Sequence, residues 1–371
     1  MRTGQRAAVS LLSLTLVLVL TGWLYSSGRD SVRCLPPRPA PPGRVCAMHG
    51  YGWQRPGGRT LYGSVWSSET RWGNELSRYW QARGMARLGG LAFVAVGDLS
   101  HAWLRYLPKR VAAEPLPVAQ GAPGTCAAFD AACAACHNWK YSHVCLGAWT
   151  RLGNEVAEDT RRALHLFAAA KGRRLPVFGP HDVVVHNRCS KDVWFWHGDY
   201  GPAAFSLYAT LAPPLSTDSG AAVATPPFNI TIVGAARQER GKRAHAAYTG
   251  DGLFPPCGAK LAALTQHLRT TYPSATVGVG EGWDAFEDFA HMAFAPVLVK
   301  DASSFSLWAG MSNTGRVISP SLSLADGNKG TFSDAKNWEW SNATVLYPST
   351  ASALGINTSD TEGVIEWLRT H

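Results

Sequence analysis

Val297-Leu-Val-Lys-Asp-Ala-Ser-Ser-Phe-Ser-Leu-Trp-Ala-Gly-Met311 decides how this chain is read. Val297 to Lys300 is a short apolar run of strand length, and the serines that follow directly open a helix from Ser304 to Met311. Serines in that position accept bonds from the first backbone N–H groups of a helix. The same end carries free donors and the positive pole of the helix dipole, so Ser303, Ser304, Phe305 and Ser306 either cap the helix alone or also hold an anion. The alternation recurs on both sides of this stretch. Val183 to His186, Ile230 to Gly234, Thr276 to Gly280 and Arg316 to Ser319 are further short β-branched runs. Ala259 to Thr271, stopped by Pro273, and Asp284 to Phe294 are helix-length segments between them. Strands alternating with helices predict an α/β fold: a parallel sheet covered on both faces, with its ligand at the carboxyl ends of the strands.

The N-terminal half opens with a helix from Asn74 to Arg87 that feeds a strand at Leu91 to Val96, the start of a second Rossmann-like lobe. Pro115 to Cys145 is rich in Ala, Gly and Cys and reads as a disulfide-pinned insertion. Thr70-Arg-Trp-Gly-Asn-Glu-Leu is echoed by Thr150-Arg-Leu-Gly-Asn-Glu-Val, too short a match to establish a repeat.

The Val183 strand ends in His186-Asn187-Arg188. This ending puts His186 and Arg188 at the carboxyl edge of the sheet, where a guanidinium fork can hold a diphosphate through two parallel charge-assisted bonds. Pairing of Arg188 with a neighbouring carboxylate is the alternative.

These residues resemble a known family. Glu287-Asp-Phe-Ala-His-Met-Ala-Phe-Ala-Pro-Val-Leu-Val-Lys-Asp-Ala-Ser-Ser-Phe-Ser-Leu-Trp-Ala-Gly310 is similar to the acidic-helix, strand and SSFSxW-helix unit of the alpha-1,2-fucosyltransferases. His186-Asn-Arg188 resembles their HxR element, and Gly73-Asn74-Glu75-Leu76 through Tyr79 resembles their GNQxFQY helix. The resemblance implies a GT-B fold of two Rossmann-like lobes, a GDP-fucose donor, and inversion at the anomeric carbon without a metal. By the same motifs Arg188 would hold the donor phosphates, Ser303 to Ser306 would cap that diphosphate, Asp288 would lie toward the base-binding side, and Asn74 would lie in the loop between the lobes. The family continues as HxRRGDY, whereas Cys189, Ser190 and Lys191 follow here and Gly198-Asp199-Tyr200 comes ten residues later. Either the GDY element is displaced or Asp192 takes its role.

No Asp-x-Asp occurs in the chain, the pattern that commonly holds a divalent metal against a diphosphate. Neutralising the leaving group then falls to Arg188, with Lys191 and the helix N-terminus as further candidates. A general base for the acceptor hydroxyl is open among Asp192, Asp199, His186 and His197.

The ends and composition place this chemistry. Ala7 to Tyr25 is uncharged, almost wholly apolar and long enough to cross a bilayer core. It reads as a signal anchor, with a signal cleaved near Ser26 to Gly28 as the alternative. Basic residues flank it on both sides and do not set its orientation. All eight cysteines and the sequons at Asn229, Asn342 and Asn357 lie beyond it, which favours a luminal body. Cys34 to Arg44 is Pro-rich and extended, a stem. A net charge of +9 suits an anionic ligand or a generally basic surface, and no basic block with interleaved aromatics points to nucleic acid.

Cys133-Ala-Ala-Cys-His137 fits a haem-attachment pattern, and Cys133, Cys136, His143 and Cys145 could hold zinc. Disulfides in an oxidising lumen explain these cysteines more simply. Cys34 with Cys46 and Cys189 with Cys257 are two pairings among on the order of 100 connectivities. Trp194, Trp196, Trp283 and the Trp338-Glu-Trp340 pair are aromatic faces that could stack on sugar or base, or fill the core.

The expected organisation is a cytoplasmic tail (1–6), a transmembrane anchor (7–25), a stem (26–60), an N-terminal Rossmann-like lobe (61–178) and a C-terminal nucleotide-sugar-binding lobe (179–371). The expected activity is fucosyl transfer from GDP-fucose to a glycan hydroxyl in the Golgi lumen. Transfer from another nucleotide sugar, or non-catalytic glycan binding by an anchored protein, are the alternatives.

Overall fold

The computed structural model describes residues 46–48, 51–54, 60–64, 72–88, 92–96, 102–112, 152–189, 194, 202–209, 211, 227–234, 254–280, 283–301, 303–320, 343–346, 356–357 and 359–371. Among them no helix is long and apolar enough to cross a membrane, and the Ala7 to Tyr25 stretch lies outside them.

The N-terminal half holds strands β1 (Cys46–Met48), β2 (Tyr51–Gln54) and β3 (Thr60–Ser64), helix α1 (Trp72–Leu88), and strands β4 (Ala92–Val96) and β5 (Arg110–Val111). β3 and β4 pair in parallel, whereas the other neighbouring pairs of this sheet are antiparallel. A parallel pair needs a crossover, and α1 lies in that connection. The second Rossmann-like lobe expected here is thus represented, among the described residues, by one β-α-β pair with antiparallel extensions.

After helix α2 (Gly153–Lys171), the C-terminal half runs as β6 (Val183–His186), β7 (Phe228–Val233), α3 (Pro255–Thr271), β8 (Ala275–Val279), α4 (Ala285–Phe294), β9 (Val297–Val299), α5 (Ser304–Ser312), β10 (Arg316–Pro320), β11 (Ala343–Leu346) and α6 (Thr361–Thr370). The strands form one sheet in the order β11-β10-β9-β6-β7-β8, with every neighbouring pair parallel. Numbered by appearance, this is the 3-2-1-4-5-6 order of doubly wound dinucleotide-binding sheets, whose switch point lies between the first and fourth strands. Here those strands are β6 and β9.

Alternate side chains of each strand go to opposite faces, and both faces are buried. Val184, Leu298 and Val317 join a core with Leu76, Tyr79 and Trp80 of α1, Phe167 of α2, Phe289 of α4 and Trp308 of α5. Val183, Val185, Ile230, Ile232, Val299 and Ile318 join a second core with Leu264 and Leu268 of α3 and Val364 and Leu368 of α6. The helix of the N-terminal β-α-β pair therefore packs in the same core as the C-terminal sheet.

Local chemistry sets the helix ends. Asp284 accepts from Phe286 N and Glu287 N at 3.0 Å each, while Glu287 accepts from Asp284 N at 2.8 Å, a reciprocal cap for α4. α3 starts at Pro255, earlier than the expected Ala259, because proline in a first helical turn loses no hydrogen bond. α2 begins at the second copy of the Thr-Arg-x-Gly-Asn-Glu echo, just as α1 begins at the first. An ion network joins the two helices. Arg83 of α1, 5% exposed, pairs with Asp159 and with Glu155 (2.8 Å) of α2, and Arg87 pairs with Glu155 at 3.0 Å.

α1 and α5 lie side by side with their N-termini together. Gly73 abuts Ser304 and Phe305, Ser77 meets Trp308, and the Trp80 and Trp308 rings stack 6.3 Å apart. A Cβ at position 73 would fall 2.5 Å from Phe305 N, so only glycine permits this approach.

Candidate functional site at the switch point

β6 and β9 end side by side, and the residues just past them form the centre of the site. Arg188, two residues beyond β6, donates its backbone N–H to Asp301 Oδ2 at 2.9 Å. Asp301 follows β9 by two residues. Lys260, from the second turn of α3, reaches up from the other face. Its Nζ lies 3.5 Å from Asp301 Oδ2 and donates to Arg188 O at 3.1 Å. The carbonyl of Asp301 accepts from Ser306 Oγ at 2.7 Å and from Lys300 Nζ at 3.5 Å. Cys189 is disulfide-bonded to Cys257 near the start of α3, with Cα atoms 5.5 Å apart. This is one of the two pairings named from sequence, and it fixes the segment that carries Arg188.

The side chains of Lys260, Lys300 and Asp301 thus gather around the Arg188 backbone at the switch point. Lys260 and Lys300 are almost fully buried, whereas Arg188 is half-buried. Burial lowers Lys300 to about 8, with the nearby Asp301 carboxylate opposing that shift. It therefore remains largely charged at neutral pH. The cluster has an excess of positive charge in a low-dielectric setting, where field strength per charge is greatest.

His186 is enclosed. Its ring lies against Gly234, where a Cβ would come within 2.9 Å of Cδ2 and 3.0 Å of Nε2, and Gly234 itself has φ +70°, a left-handed conformation that glycine adopts freely. The Phe305 ring is 6.3 Å away on another side. Burial, reinforced by Arg188, Lys260 and Lys300 against the opposing pull of Asp301, lowers His186 to about 3. An enclosed imidazole of such low basicity is a weak acceptor for the proton of a bound hydroxyl.

Ser303 caps α5: its Oγ accepts from Phe305 N at 3.1 Å and Ser306 N at 3.3 Å. Ser306 is fully buried and turned back to Asp301 O, so it braces the strand-to-helix turn. Ser304 and Phe305 are half-buried beside Gly73. Asn74, expected in a loop between lobes, instead lies in the first turn of α1, next to the contact between Gly73 and the start of α5. Asp288 lies one turn into α4, half-buried. The N-terminus of α4 is closed by its own cap and by Arg173, which pairs with Asp284 at 2.6 Å and Glu287 at 3.0 Å.

Asp192, Asp199, His197 and Lys191 lie outside the described residues, as do Trp196, Trp338, Trp340, Cys133, Cys136, His143 and Cys145. Trp194 is fully buried against Phe254 and serves as core, not as a stacking face. Trp283 stacks on His291 with ring centroids 3.8 Å apart.

Sequence reasoning brought His186, Arg188 and Ser303 to Ser306 to one sheet edge and missed Lys260, Lys300, Asp301, Gly73 and Gly234. Lys300-Asp301 directly after a strand was a readable signal for two of them.

Fold and site define a doubly wound α/β chain with a basic, largely buried cluster at its switch point. No protein-family model, curated protein or solved structure matches the chain.

Proposed function

We propose that the chain is an inverting, metal-independent glycosyltransferase of GT-B type that transfers fucose from GDP-fucose to a glycan hydroxyl, anchored in the Golgi membrane with its body in the lumen. The observation that carries the reading is the hydrogen bond between Arg188 and Asp301. It joins the HxR strand end and the serine-opened helix, the two motifs of the family resemblance, across the crevice where sheets of this order bind nucleotides.

In this reading the Arg188 guanidinium holds the diphosphate of the donor, with Lys300 adding field and the α5 N-terminus adding its dipole. The acceptor oxygen forms its bond to the anomeric carbon as the bond to the diphosphate oxygen breaks. The acceptor proton goes to a carboxylate, Asp192 or Asp199, and the developing charge on GDP is met by Arg188. His186 supports the strand end and takes no proton.

The test is release of GDP from GDP-fucose with a panel of glycan acceptors, with and without EDTA, for wild type and Arg188→Ala. Loss of a charged contact to the leaving group lowers kcat/KM by on the order of 100-fold or more, and EDTA leaves the wild-type rate unchanged. Equal turnover by Arg188→Ala, or silence of the wild type with every donor and acceptor, overturns the reading.

A further inference from the structure

Asp301 and Lys260 grip both polar groups of one peptide residue. Asp301 Oδ2 accepts the Arg188 backbone N–H at 2.9 Å, and Lys260 Nζ donates to the Arg188 carbonyl at 3.1 Å. The two gripping side chains lie 3.5 Å apart, which closes the ring. Each comes from a different element: Arg188 from beyond β6, Asp301 from beyond β9, and Lys260 from α3 on the opposite face of the sheet. Lys260 is 1% exposed and Asp301 6% exposed, so these bonds do not compete with bulk water. The Cys189–Cys257 bridge ties the next residue to α3, one turn before Lys260.

A half-buried arginine on a long side chain can swing through many rotamers, and a bidentate contact needs its base held still. The arrangement around Arg188 does this at the backbone, through its N–H and its carbonyl. We propose that Lys260 and Asp301 are positioning residues, a buried clamp that fixes the Arg188 peptide and thereby sets the affinity of the site for a diphosphate. This rests on the reading of Arg188 as the diphosphate contact. The clamp touches no ligand. Lys260 and Asp301 act through the residue they hold.

The experiment uses the full chain in detergent and two readouts. The first is GDP affinity by calorimetry, and the second is hydrogen exchange at the Arg188 amide, which needs no ligand. The variants are Lys260→Met, Lys260→Arg and the double Lys260→Met/Asp301→Leu, which leaves no side-chain acceptor for the Arg188 amide. The double removes both charges together, so it avoids the unpaired buried charge that threatens folding in a single variant. Lys260→Met and the double variant weaken GDP binding on the order of 10-fold, as loss of a charge-assisted bond does, and quicken exchange at the Arg188 amide by at least as much. Lys260→Arg, which keeps a cation and donors, recovers most of both. Unchanged Arg188 exchange in the folded double variant overturns the clamp, whatever the affinity does. If exchange quickens but even the wild type binds no GDP, the holding role stands and the diphosphate reading of the site falls.

Discussion

Trp308 donates its indole N–H to Ser77 Oγ at 2.8 Å, across 231 residues of sequence, and Ser77 Oγ donates in turn to Gly73 O at 2.8 Å. The relay is buried and sets α1 and α5 in register, so that their N-termini meet beside the switch point. Ser77→Ala leaves the buried indole N–H without this acceptor and costs about 1–3 kcal/mol. Trp308→Phe in the Ser77→Ala background costs less than Trp308→Phe alone, because the shared bond is already gone. Denaturant unfolding of the four chains in this cycle measures the coupling, and additive losses would remove the relay from the account.

Gly73→Ala puts a methyl group against the Phe305 backbone, which cannot rotate away as a side chain can. Separation of the two helices is the expected response, at about 1–3 kcal/mol of stability, with weaker nucleotide binding as a consequence. The check is thermal unfolding with and without GDP. A Gly73→Ala chain as stable as wild type would show that the helix ends have room to spare.

The His186 ring supplies a pH dependence with a fixed sign. Its folded value of about 3 is lowered by burial below the unfolded value near 6.5. The unfolded chain therefore binds the extra proton first. His186 costs nothing above pH 6.5, and stability falls as pH drops from 6.5 toward 3, by roughly 2 kcal/mol at pH 5. In His186→Phe this part of the acid limb disappears. Unfolding free energies at pH 7 and 5 for both chains decide the matter, and identical slopes would place the protonation elsewhere.

Two of the three sequons fall on described residues, and their surroundings differ. Asn229 is exposed in β7, but its Nδ2, the nitrogen that a glycan would modify, donates to Asp182 Oδ1 at 3.0 Å. Asn357 is exposed ahead of α6, with its Oδ1 accepting from Ser359 N at 3.1 Å. If the body is luminal, Asn357 is glycosylated and Asn229 is not. The band shift after enzymatic deglycosylation shrinks by one glycan in Asn357→Gln and is unchanged in Asn229→Gln; the reverse result would require β7 to form after modification.

Much of the C-terminal sheet was legible because its strands are short, β-branched and bounded by helix signals. Val183 to His186 coincides with β6, and the serine run marked the start of α5. α2 was as readable as its neighbours, with Val156, Ala163, Leu164 and Phe167 at helical spacing on one buried face. The Lys260 contact was not readable. Helical periodicity tells which face of α3 is buried, but not which strand end its second turn will reach. Sequence also cannot tell a buried carboxylate that holds a distant strand end from an exposed one that caps the next helix: Asp301, 6% exposed, accepts from Arg188 N, whereas exposed Asp360 accepts from Gly363 N three residues on.

The partners Arg188 and Asp301 stand 113 residues apart in the chain. During synthesis β6 is made first and can pair with β7 on one side, while its other edge waits for β9. For that interval an apolar Val-Val-Val edge is open to other chains, and the site has only one of its walls. A ribosome-released fragment ending before β9 would therefore be adhesive and would lack the Arg188–Asp301 contact, which makes the late arrival of Val297 to Asp301 the step at which the switch point is assembled and the open edge is covered together.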